Sequence, residues 1–177
     1  MSSFIHLVAV ATAVVLLAGV TSSCAQTPSA AAPPVTAVIK GKTIMNRAVG
    51  TFDVKLAPID AYNRDTGALA GRMSLDKQFR GELEAIGKGE MLTAGTDVKG
   101  SAAYVAIERV TGTLRGRSGS FALHHTGIMN RGVPTLTIAV VPDSGTGGLA
   151  GISGRMAIII ADGNHSYEFD YTLPEAP

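Results

Sequence analysis

The sequence predicts an all-β protein, an antiparallel barrel of about eight strands, preceded by an N-terminal segment of different character. Three observations carry this. Apolar and polar residues alternate in short stretches from Thr51 to Leu173, the period of a strand with one buried face. Clusters of Gly with Asp, Asn, Ser or Thr punctuate those stretches as turns. One phrase also occurs twice: Thr111–Leu123 and Thr146–Ile158 align without gaps, 35 residues apart, and share Thr, Gly, Leu, Gly, Ser, Gly and Ala. Each copy opens on Thr-Gly, sets one Leu (Leu114, Leu149) between glycines, turns at Ser-Gly (Ser118-Gly119, Ser153-Gly154) and enters an alternating strand. Strands joined by short turns leave open edges unless the sheet closes, so a barrel is the expected arrangement and a sandwich the alternative.

Residues 1–25 read as a signal segment. Leu7 to Val20 is apolar or small throughout and uncharged, and it is shorter than the roughly 20 residues a bilayer span requires, as in a secretory signal. The residues before it contain no Lys or Arg. Cys24 is the only cysteine, which excludes an intramolecular disulfide. Preceded by small residues, it suits lipidation as in a bacterial lipoprotein, which would attach the chain to a membrane. Alternatively Ser23-Cys24-Ala25 is a small-x-small cleavage site, or the segment stays as a single anchor. All three place the remainder outside the cytoplasm: periplasmic, secreted or lipid-anchored. Residues 26–45, rich in Ala, Pro and Thr, read as a flexible tether, and residues 46–177 as the barrel domain.

All Asp, Glu, Lys and Arg residues lie at or after Lys40, so the net charge of +1 belongs entirely to the chain from that lysine onward. That balance excludes the basic excess of a nucleic-acid binder, and the absence of Trp argues against a base-stacking surface.

The strands are taken in order. Phe52, Val54 and Leu56 alternate with Thr51, Asp53 and Lys55, and Pro58 is expected to end this strand. Asn63, Asp65 and Gly67 mark a loop. From Leu69 to Glu90 a helical stripe (Leu75, Phe79, Leu83, Ile86, with Ser74 as N-cap and Gly87 as stop) competes with two strands. Gly81 would sit in mid-helix at a cost of about 1 kcal/mol, which favours strands with Met73, Leu75, Phe79, Leu83 and Ala85 inward. Ala102 to Val110 alternates Ala103, Val105 and Ile107 with Tyr104, Ala106 and Glu108. The first repeat delivers Phe121, Leu123 and His125 to one face, the second Met156, Ile158 and Ile160. Between them Leu136, Ile138 and Val140 form a strand ended by Pro142-Asp143-Ser144-Gly145. Asp162-Gly163-Asn164 is a hairpin signal before the last strand, with Tyr167, Phe169, Tyr171 and Leu173 on one face.

These residues resemble a mainly bacterial family catalogued as a domain of unknown function and similar in fold to the allene oxide cyclase barrels. The resemblance spans roughly Gly50 to Leu173. It rests on Val110 to Gly127, on Val141 to Gly147 with Leu149-Ala150-Gly151, and on His165, Tyr167 and Tyr171. It implies an eight-stranded, calycin-like antiparallel barrel, often oligomeric, and transfers no reaction.

Candidate functional residues emerge from strand parity. His124 and His125 leave opposite faces, so only His125, in phase with Phe121 and Leu123, should point inward. There it is either a hydrogen-bonded core histidine or an acid–base or ligand-orienting group. Glu82, Glu84, Glu168 and Asp170 fall on the solvent parity. Glu108 shares its face with Tyr104 and Ala106; if that face is the interior, Glu108 and His125 converge as catalytic candidates. Tyr104, Phe121, Leu123 and His125 are the candidate ligand-lining residues. The glycine phrases lack a phosphate-loop pattern, and no metal-ligand spacing appears, so no cofactor is expected. The leading expectation is an exported barrel that binds a small apolar or amphipathic molecule inside. The alternatives are an isomerase or cyclase that confines a lipid-like substrate, and a homo-oligomeric scaffold.

Overall fold

Alternating side chains need two environments, and closing a sheet on itself supplies them. The computed structural model describes residues 44–60 and 70–174. The Leu7–Val20 stretch, Cys24, residues 26–43 of the tether and the Asn63-Asp65-Gly67 loop lie outside the described residues. The strands are β1 (Asn46–Ile59), β2 (Ala70–Gly81), β3 (Leu83–Gly95), β4 (Ala102–Leu114) and β5 (Arg117–Asn130), then β6 (Val133–Val140), β7 (Thr146–Gly147), β8 (Ser153–Ala161) and β9 (Asn164–Thr172). The order β4-β3-β2-β1-β9-β8-β6-β5 is completed by pairing of β4 with β5, so eight strands close an antiparallel barrel. The two-residue β7 lies against Gly119 and Ser120 of β5.

The segment that also suited a helix is the β2–β3 hairpin, reversed at Gly81, whose φ of 105° suits glycine alone. Three further hairpins turn on Arg115-Gly116, Arg131-Gly132 and Asp162-Gly163, with φ positive at both residues of each pair. This is the turn whose twist matches that of paired strands.

Two expectations are corrected. Pro58 does not end β1; it pairs with Met73 of β2. β9 has already left β1 at Thr51, so Pro58 has one neighbouring strand, where a missing N–H is tolerated. In the repeat, Thr111-Gly112, Ser118-Gly119 and Ser153-Gly154 are strand residues rather than turns. The reversals fall at the equivalent Gly116 and Gly151, with φ of 81° and 75°. What the copies share in three dimensions is Leu114 and Leu149, each 1% exposed.

The barrel is packed unevenly along its axis. One half holds the apolar core, including Leu83, Leu114, Phe121, Leu149, Ile152, Phe169 and Tyr171. Phe169 stacks on Phe121 and on Tyr171, with ring centroids 5.6 and 5.3 Å apart. Each such ring contributes roughly 1.5–3 kcal/mol through burial. Phe121, Leu123, His125 and Met156 are buried, and Ile158 and Ile160 half-buried, on the inner parity of their strands.

Candidate functional site

At mid-height three charged or titratable side chains enter the interior from three strands. Lys77 lies between Leu75 and Phe79 on the inner face of β2, Glu108 follows Ala106 on β4, and His125 follows Leu123 on β5. Glu108 is fully buried, and Lys77 and His125 nearly so. Lys77 Nζ donates to Glu108 Oε2 at 2.7 Å. This bond joins strands that are not neighbours, since β3 runs between them, and Gly87 of β3 makes it feasible. A Cβ on Gly87 would sit 1.9 Å from Glu108 Oε1, far inside contact distance. The ammonium also faces the rings of Phe52 and Phe79, 5.2 and 5.5 Å from their centroids, so both the carboxylate and two π-faces meet its charge.

His125 Nε2 stands 3.1 Å from Glu108 Oε2. The two atoms approach closely, but their alignment does not complete a hydrogen bond. Among the described residues, two buried side-chain polar atoms lack a hydrogen-bond partner, His125 Nε2 and Glu108 Oε1. Such atoms cost about 1–3 kcal/mol each when left unmet. Burial pushes the Glu108 carboxyl up, but His125 and Lys77 beside it together outweigh burial and hold it below its ordinary 4.5. Burial pulls His125 below its ordinary 6.5, and the Lys77 charge adds to this against the upward pull of Glu108. Near neutral pH Glu108 is thus a carboxylate, ion-paired with Lys77, and His125 a neutral imidazole.

Above this layer the inner wall loosens. Val54, Met73, Leu136, Ile158, Ile160 and His165 occupy inner positions yet are only half-buried. The wall there is also less stitched, because β6 and β8 pair at one position alone, Ala139 with Arg155. Tyr104 lies across Gly127, where a Cβ would meet its ring at 2.1 Å. Burial and then the Glu108 charge push its phenol up to about 12, so it stays protonated.

The geometry sorts the residues singled out from sequence. Glu108 and His125 come together inside the barrel, with Tyr104 on the same inner face towards the looser half. Phe121 and Leu123 pack the closed half, below the cluster. Tyr167 supports the fold: its hydroxyl accepts from Leu83 N at 2.9 Å and donates to Arg80 O at 3.3 Å, pinning the β2–β3 hairpin. Glu82, Glu168 and Asp170 lie outside, the first bonded to Arg115 and the others to Arg47. Lys77 escaped sequence reasoning, although its signal was present as a Lys in phase with Leu75 and Phe79. Among the described residues no three His, Cys, Asp or Glu side chains converge as a metal site.

The family described as protein of unknown function (DUF3224) matches residues 48–171. The chain belongs to the DUF3224 family. The match begins at Ala48 in β1 and ends at Tyr171 in β9, so the cluster lies within the family's own region. A crystal structure of a DUF3224 protein of unknown function from Shewanella oneidensis MR-1 is similar over 75% of this chain and 100% of that one, with 54% identity and a TM-score of 0.71. No curated protein matches.

Proposed function

We propose that the DUF3224 barrel binds one small apolar or amphipathic molecule in its looser half, with the polar end of that molecule towards the Lys77–Glu108–His125 cluster. One observation carries this reading: a buried polar cluster with two unmet atoms lies beneath an inner wall whose largely apolar side chains are only partly buried. A small-molecule site combines these properties, an apolar lining with few convergent polar groups. An isomerase would draw on the same Glu108 and His125. Both hold protons weakly, however, which makes them poor bases and favours holding a ligand over moving its protons. The test is native mass spectrometry of the full-length chain after incubation with a mixed lipid extract and removal of free lipid. One retained molecule per chain is expected; a bare mass across extracts would overturn the proposal.

A further inference from the structure

The cluster also specifies what kind of polar end fits, an inference that rests on ligand binding in the looser half. Glu108 Oε2 is already engaged by Lys77 and faces His125, whereas Oε1 has no partner. A carboxylate oxygen only accepts, so the group that satisfies it must donate a hydrogen bond. Lys77 has no charge to spare, being held by Glu108 and by the faces of Phe52 and Phe79. An incoming carboxylate would bring a second negative charge beside Glu108 in a desolvated interior and could donate nothing to Oε1. An incoming ammonium could donate, but it would stand beside Lys77 as an uncompensated like charge. A buried ion pair accepts neither addition cheaply. A hydroxyl meets both demands. It donates to Oε1, and its oxygen lone pairs remain for an N–H if the neutral His125 presents one at Nε2.

From this we infer that the site selects an uncharged, hydrogen-bond-donating head, an alcohol or phenol on an apolar body, and discriminates against fatty carboxylates and alkyl amines of the same size.

Octanol, octanoate and octylamine test this directly by calorimetric titration of the full-length chain at about pH 8, where octanoate is an anion and octylamine a cation. Octanol is expected to bind at least about tenfold more tightly than either charged probe. Octanoate binding as tightly as octanol overturns the inference alone. Binding of none of the three overturns the ligand-binding reading and this inference with it. Glu108→Gln supplies a reciprocal arm: it frees the Lys77 charge, so preference should swing towards octanoate, and an unchanged order contradicts the assignment. Where that variant does not fold, Lys77→Gln combined with Glu108→Gln removes both charges, and the preference for octanol over octanoate should shrink.

Discussion

Glu108 and His125 bind protons less readily in the folded barrel than as free side chains, and both shifts make acid unfavourable to the fold. His125 is held below 6.5, so between its folded pKa and 6.5 the unfolded chain carries a proton that the folded chain does not. Stability is complete above that range and falls as pH falls through it. Glu108 adds a second loss as pH drops below 4.5 towards its folded value. The groups facing His125 are Lys77 from β2 and Glu108 from β4, with Ile138 of β6 paired opposite it and His124 adjoining on its own strand. Urea unfolding from about pH 8 to about pH 5 should show a falling midpoint in the wild type and a flatter profile in His125→Gln. A wild-type midpoint that holds constant or rises would contradict the neutral, buried imidazole.

At the scale of the strand, β4 inverts the usual pattern. Val105 and Ile107 are 51% and 58% exposed, while Glu108 is at 0%. Both faces of Ala102–Val110 are largely apolar, so composition alone leaves its orientation open. What decides it is a partner on another strand: Glu108 goes inside because Lys77 is there, and Gly87 leaves room for the two to meet over β3. Lys77 was missed for the matching reason, since one charged residue in an apolar phase gains its meaning only from the carboxylate opposite. The period of two, the glycine hairpins and the paired phrases are local signals and did reveal the strands. The exact turn positions were hidden because Gly112, Gly119 and Gly154 serve close strand approach, which looks like a turn in sequence. If the tie between β2 and β4 is a compensated ion pair, Lys77→Met should cost about 3–5 kcal/mol by leaving Glu108 unpaired. Lys77→Met combined with Glu108→Leu should recover much of that in urea unfolding. Equal losses in the single and double variants would mean that the pair is not coupled.

Over the whole molecule, the division of the barrel into a packed half and a loosened half connects fold to function. The repeat accounts for much of it. Its two copies place Leu114 and Leu149 at the closed end, together with Phe121 and Met156, while Ile158 and Ile160 of the second copy continue up the wall beside the single β6–β8 pair. Closure of the ring was legible from strand number and short turns. The weak seam was not, because the alternation of β6 and of β8 carries no mark that the two pair at Ala139 and Arg155 alone. The most direct measurement is a crystal structure of the full-length chain soaked with octanol. The expected result is octanol among Val54, Leu136 and Ile158 with its hydroxyl within hydrogen-bond distance of Glu108 Oε1. An interior filled by side chains alone, with octanol absent or only on the outer wall, would contradict it.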